Sequence, residues 1–508
     1  MQKLFDGYHD FIKILVFPLF FLTLFGAIRV QQFDFTLVSH WLFSIIIVLT
    51  TVIVVTMCFF RNKSKAFFSN VYKILLKHIG IVVCTSMIMI VALQVLILLN
   101  TQTPIGWDVG DVMNAVIHPR SGIEYVSINP NNLFLISIHH SLYQLFLSQG
   151  TSLATTWLFF QILTAIELDF SIICIVLFTY KVFNRRVALN AYLLFFFLFM
   201  LTPYIQTPYS DIAVLVPISL ALLCFTGLET ATHVYLKLLF AILIGFLFVV
   251  VYETKPSGIV LLIAWTLDDI TRELLNKHKS RKTLNLIVVL VVMLSFVGGQ
   301  YVANKFVETH SPVRVVKNRA LPWQNFVLIG MTGNGGYNSP IRHTTLDFVT
   351  TKKMAQYSSQ QISKRLNTLG FVSYLQFLAG KQIRNTDRGD FSWGQEGIPQ
   401  PPFNRTKGSL QDRIRSVYLI GGRHQADMSF YYQVVWLLAL VGILLSLMKV
   451  NPVKDKWGSI LILSMLGAFL YLLLFEGGRS RYLIQYLPTL IPLSAWGWYV
   501  NTEKSIEN

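Results

Sequence analysis

Charge is what this sequence has least of. Asp, Glu, Lys and Arg make up only 13% of its 508 residues, and acid is scarcer than base, 25 against 42. A water-soluble globular protein of this length could not cover its surface with so little charge, and that class is excluded. Cysteine is scarce too. Cys58, Cys84, Cys174 and Cys224 all fall inside apolar runs, which leaves no case for a disulfide framework or a CxxC metal site. Neither a Walker loop nor a GxGxxG occurs, so no soluble nucleotide and no nucleic acid is expected as a partner. Internal repeats and low-complexity segments are missing as well. The apolar runs are continuous rather than alternating, which excludes a β-barrel.

What the chain does have is apolar runs near 20 residues, repeated, within a composition 54% hydrophobic and 14% aromatic. Mean hydropathy is +0.56. Helices satisfy their own backbone hydrogen bonds in lipid, so the runs predict an all-α polytopic membrane protein. About twelve spans are expected, near 11–28, 39–60, 79–99, 152–180, 188–204, 208–227, 236–252, 257–270, 284–303, 431–449, 458–475 and 482–500. The first run lacks a small-residue cleavage site and is followed by further spans, so no cleavable signal peptide is expected. The segment 131–147 carries His139 and His140 and is short for a crossing; it reads as an amphipathic helix lying on the outer surface.

Lys and Arg in the short loops orient the chain. They crowd residues 61–77, 181–186 and 271–283, and recur at Lys454 and Lys456. With twelve spans these loops share the cytoplasmic side, together with both termini. Five regions follow: three N-terminal spans over 1–100, a first large exoplasmic loop over 101–151, spans four to nine over 152–303, an exoplasmic cap over 304–430, and three C-terminal spans over 431–508. The cap holds 17 Lys and Arg against 7 Asp and Glu. It is expected to be small, mainly helical, with a helix near 350–380, and to face an anionic partner.

Oriented in this way, the unusual charges gather at one face. Asp108 and Asp111 in GWDVGDV, Tyr209 and Asp211 in TPYSD, Glu253 and Lys255 in YETKPS, and Glu476, Arg479 and Arg481 in FEGGRSRY all lie at the outer ends of spans. The apolar run of 236–270 is therefore expected to be two helices, with Pro256 opening the second. Carboxylates can take a proton from a hydroxyl or hold a divalent cation, and lysine with paired arginines binds phosphate. A divalent cation, magnesium or manganese, could be held by Asp108 and Asp111 with His139. Each charge taken singly is as well explained as a solvated helix end; their gathering from four loops favours one shared site. Glu167 and Asp169, inside the 152–180 segment, are read as lying at a helix break.

WDVGDV, INPNNLFL with Asn131, TPYSD, YETKPSG, GNGGYN and FEGGRSRYLIQYLP, in this order, resemble the C-type polytopic membrane glycosyltransferases, the GT-C superfold. Protein mannosyltransferases and aminoarabinose transferases are relatives there. More narrowly the chain resembles the Gram-positive branch that includes exosortase-associated enzymes. The resemblance covers most of the chain from about residue 100 onward. It implies an outward-facing site and a polyprenyl-phosphate-linked sugar as donor, with Asp108 as general base and Asp111 as helper or metal ligand. Lys255, Arg479 and Arg481 would receive the donor phosphate. The acceptor would be an exoplasmic glycan, teichoic acid, lipid or protein. Two departures stand out: two extra spans precede the first large loop, and the acids are spaced DxxD. A transporter or flippase of a lipid-linked saccharide is the alternative, and a non-catalytic scaffold a third reading.

Overall fold

The computed structural model describes residues 2–30, 70–147, 150–275, 279–395, 409–449, 455–475 and 477–507. The described residues are helices joined by loops and short 3-10 turns. In chain order the helices are α1 (Gln2–Arg29), α2 (Ile79–Thr101), α3 (Trp107–Ile117), α4 (Ile123–Ile128), α5 (Leu133–Phe146), α6 (Leu153–Val182), α7 (Arg185–Leu198) and α8 (Ser210–Thr230). There follow α9 (Val234–Thr254), α10 (Val260–Leu275), α11 (Lys279–His310), α12 (Trp323–Gly330), α13 (Ser339–Leu346) and α14 (Thr351–Thr386). Last come α15 (Leu410–Tyr418), α16 (Gln425–Lys449), α17 (Lys456–Leu474) and α18 (Leu487–Glu507).

Eight segments among the described residues are long and apolar enough to cross a membrane: Phe11–Arg29 of α1, α2, α6, α8, α9, Leu286–His310 of α11, α16 and α17. All eight coincide with expected spans. The span expected at 39–60 lies outside the described residues. The other three appear as helices inside the bundle: α7 and α10, of 14 and 16 residues, and α18. The 14 residues of α5 are too few to cross, in keeping with the surface-lying reading of 131–147. The chain is thus a multi-pass all-α membrane protein.

The break at ETKPS falls where expected. α9 ends at Thr254, a 3-10 turn runs Pro256–Ile259, and α10 starts at Val260. The break expected around Glu167 and Asp169 does not occur, because α6 is a single helix from Leu153 to Val182. The Gln94 side chain of α2 removes the need for one. It donates to Asp169 Oδ1 at 3.0 Å, so the buried carboxylate has its partner inside the bundle.

Lipid is as apolar as leucine, so helix pairs in a membrane gain stability from close approach over small residues. The packing of α16 on α18 shows this. Ser446 Oγ donates to the Leu493 carbonyl at 2.5 Å and Ser494 Oγ to that of Ala439 at 2.7 Å. A Cβ on Gly497 would stand 2.0 Å from the Gly442 carbonyl oxygen. Gly442→Val should therefore force the pair apart and lower stability by about 1–3 kcal/mol. An unchanged thermal midpoint in detergent would contradict that packing.

Both ends of the bundle are pinned by charge. At the end where α8 finishes, Lys456 pairs with Glu229 at 2.8 Å and Asp269 at 3.2 Å, and Arg272 with Asp268 at 2.6 Å. At the end where α8 begins lies the site.

Candidate active site

Asp211 stands in the first turn of α8 and is buried. Two cations meet it. Lys255, extended between the end of α9 and the turn at Pro256, bonds one carboxylate oxygen. Arg481, in the 3-10 run Ser480–Tyr486, donates from Nε to the other at 2.7 Å. The Arg481 guanidinium also lies over the Tyr209 ring at 5.0 Å, and Lys255 Nζ over that of Tyr482 at 5.5 Å. Three distant stretches of sequence thus close on one carboxylate. Two cations share that one carboxylate.

Tyr209 carries the cluster on to the acid pair. Its phenol shares a hydrogen bond with Tyr125, which also accepts from Asn132 Nδ2 at 2.7 Å. Burial pushes both phenols far above their usual range. The charge of Asp108 adds to this at each of them, while Arg481 pulls Tyr209 the other way. Asp108 and Asp111 sit three residues apart on α3 and are both exposed. Asp111 is open to solvent on one side only, and its carboxyl is raised, first by desolvation on the side that faces the protein and then by Asp108, against the opposing charge of Arg342. Trp107, just before Asp108, holds a left-handed φ of 58°, which a bulky side chain adopts only under constraint from its surroundings.

The remaining expected residues scatter. Arg479 lies half-buried two residues before Arg481. Glu253 turns to α11, where Gln300 donates to it. Asn131 is exposed, and its neighbour Asn132 is the one that is buried and bonded. Glu476 lies outside the described residues. His139 packs its ring on Phe160 at 4.9 Å, and burial lowers its pKa to about 4, so it is neutral at physiological pH. Among the described residues no group of three His, Cys, Asp or Glu is placed to hold a metal. His139 gives the acid pair no third ligand, and the residues do not make a cation site with it.

Two glycine-rich loops set where Arg481 stands, and composition gave no sign that they would meet. Gly477 N–H donates to the Gly335 carbonyl at 2.9 Å. Gly478 has φ 73°, and a Cβ there would stand 2.6 Å from the Gly336 nitrogen. Lys381 of α14, fully buried, donates to the carbonyls of Gly330 at 2.7 Å, Leu473 at 3.0 Å and Phe475 at 2.5 Å. Asn385 Oδ1 accepts from Gly478 N–H at 2.5 Å. Beside them Ser480 Oγ donates to Asp387, whose carboxyl burial pushes up to about 6. Lys381→Met would strand three carbonyls near the loop of Arg481. It should cost about 1–3 kcal/mol, read as a lower thermal midpoint; a wild-type midpoint would mean that water replaces the ammonium there.

A family model described as a conserved hypothetical integral membrane protein matches residues 4–501. No curated protein is similar to the chain in sequence. Among solved structures it is similar to the archaeal oligosaccharyltransferase AglB from Archaeoglobus fulgidus in complex with an inhibitory peptide and a dolichol-phosphate. The TM-score is 0.40 and the identity 12%, over 82% of this chain and 50% of that one. The apo form of the Archaeoglobus fulgidus oligosaccharyltransferase gives 0.41 and 13% over the same shares. The chain thus spans about half the length of these two. ArnT from Cupriavidus metallidurans bound to undecaprenyl phosphate gives 0.31 and 15%, over 82% of this chain and 75% of that one.

Proposed function

The chain belongs to this family of conserved hypothetical integral membrane proteins, and we propose that it is a membrane glycosyltransferase of the GT-C kind. It would take a sugar from a polyprenyl-phosphate donor and pass it to a glycan, teichoic acid, lipid or protein acceptor. The observation that carries the reading is the set of contacts from Tyr209 through Arg481 to Asp211 and Lys255, with Asp108 near enough for its charge to raise the Tyr209 phenol. An exposed carboxylate on one side and a lysine with an arginine on the other are what a displacement at an anomeric carbon needs.

The acceptor hydroxyl gives its proton to Asp108 as its oxygen attacks the anomeric carbon. The bond from that carbon to the phosphate oxygen breaks, and the departing phosphate keeps the electron pair. Lys255 and Arg481 meet the charge that develops, with Arg479 beside them. Asp211 keeps both cations in place between turnovers. A single displacement of this kind inverts the anomeric centre. The short-loop Lys and Arg support a site on the exoplasmic side with the termini in the cytoplasm.

One observation favours transport instead. Asp169 lies near the middle of α6, and an ionisable group at that depth is a usual mark of a conducting path. Purified protein in sealed vesicles, given a polyprenyl-phosphate sugar and an acceptor extract, separates the two. Release of polyprenyl phosphate with catalytic turnover is the expected result. Movement of the intact donor between leaflets without release would replace this reading with the flippase.

A further inference from the structure

We infer that the second arm of α14, from Phe371 to Leu378, is seated in the bilayer at the site's end of the bundle rather than in water above it. The helix is kinked at Gly370, whose φ of 68° interrupts the helical geometry. Its exposed residues change character there. Before the kink they are largely polar: Ser363, Lys364, Asn367 and Thr368. After it, Phe371 is 76% exposed, Val372 67% and Leu375 48%, with the polar Ser373 and Gln376 exposed on the other side of the arm. With half-buried Leu378 and Ala379 these recur at i, i+1, i+4, i+7 and i+8, an apolar stripe along one face.

The last turns of this arm are anchored on two spanning helices. Gln382 and Thr386 both donate to Thr23 Oγ1, at 3.1 and 2.9 Å, and a Cβ on Gly26 would stand 2.7 Å from Ile383. Thr23 lies inside the spanning part of α1, six residues or about 9 Å before its end at Arg29. Lys381 and Asn385 likewise bind the last carbonyls of the spanning α17, Leu472 to Phe475. Ten residues, or about 15 Å of helix, separate Lys381 from Phe371. That length is small against the roughly 40–45 Å of bilayer and head groups.

Lipid is the occupant that continues what is already there. On α1, Phe21, Phe25 and Ile28 flank the contact with α14 and are 54%, 54% and 67% exposed. The α14 stripe extends that apolar belt, while exposed Lys364 before the kink offers a charge to anionic head groups; Arg365 is turned inward, donating to the Met331 carbonyl and lying over the Phe377 ring at 5.9 Å.

The test uses the full-length chain with its four cysteines replaced by alanine, single cysteines restored by Phe371→Cys, Val372→Cys, Leu375→Cys, Ser363→Cys and Asn367→Cys, and a nitroxide on each. In phosphatidylcholine–phosphatidylglycerol vesicles, oxygen should relax the labels at 371, 372 and 375 more than a polar nickel chelate does, with the order reversed at 363 and 367. Nickel access at 372 and 375 equal to that at 363 would overturn the inference. Dipolar broadening between labels at 372 would do so too, by showing a second copy of the chain on this face. Hydroxyl-radical footprinting of the unmodified protein in the same vesicles gives an independent check. Phe371 should stay unoxidised while Phe348 reacts, and equal oxidation of both would count against lipid.

Discussion

Replacing Asp108 with asparagine is expected to lower sugar transfer by about 10²–10⁴-fold, the usual worth of a general base. The side chain is exposed on the first turn of α3 and bears no part of the packed core, so expression and membrane insertion should be unchanged. Its neighbour constrains the interpretation. The Asp111 carboxyl is raised by desolvation and by Asp108 itself, so neutralising Asp108 should also return Asp111 towards its ordinary value. Asp111→Asn should therefore reduce the rate less than Asp108→Asn. The opposite order would give the base's role to Asp111, and full activity in both variants would remove the pair from the mechanism.

The second large effect is on folding. Asp211 is buried between Lys255 and Arg481, with side chains 2%, 12% and 10% exposed. Asp211→Ala would leave two cations shielded from water with no carboxylate between them. Breaking a buried pair from one side costs about 3–5 kcal/mol. The expected result is a large fall in the thermal midpoint of the purified protein. Arg481→Met added to Asp211→Ala should recover part of the loss, because one uncompensated charge goes with it. If Asp211→Ala is as stable as the parent, water reaches the cluster and its cations are held less firmly than the contacts imply. Recovery in the double variant separates an electrostatic cost from a hole left in the packing.

The residues that could be placed from sequence are those whose role follows from where a span ends. Asp211, Lys255 and Arg481 each border an apolar run, and hydropathy alone puts them at one end of the bundle. The break at ETKPS was legible for the same reason, since Pro256 and two charges cannot continue α9 through lipid. Which way a residue faces within a turn was not legible. Glu253 and Lys255 are two apart, yet one meets Gln300 and the other Asp211. Asn131 and Asn132 differ in the same way, because one step of about 120° along the 3-10 turn Pro130–Asn132 separates solvent from the Tyr125 phenol. His139 looked like a ligand beside two acids, but its ring faces Phe160.

The glycine loops show a different gap. GNGG and GGRSR are ordinary turn signals taken separately. Their meeting needs Lys381, some 100 residues before Arg481, and no local pattern marks a lysine that will be buried against carbonyls. Arg342 is a similar case, a cation from the expected cap that opposes Asp111. The cap itself was expected to stand clear of the membrane. The hydrogen bonds from Gln382 and Thr386 to Thr23 draw the end of α14 down beside α1.

Equilibrium binding of polyprenyl phosphate to the wild-type protein, Asp108→Asn and Lys255→Ala tests the division of labour between acid and cations most directly. The account predicts that Asp108→Asn binds the lipid phosphate as tightly as wild type, while Lys255→Ala binds it at least tenfold more weakly. Equal affinity in all three, or loss of binding in Asp108→Asn alone, would contradict it.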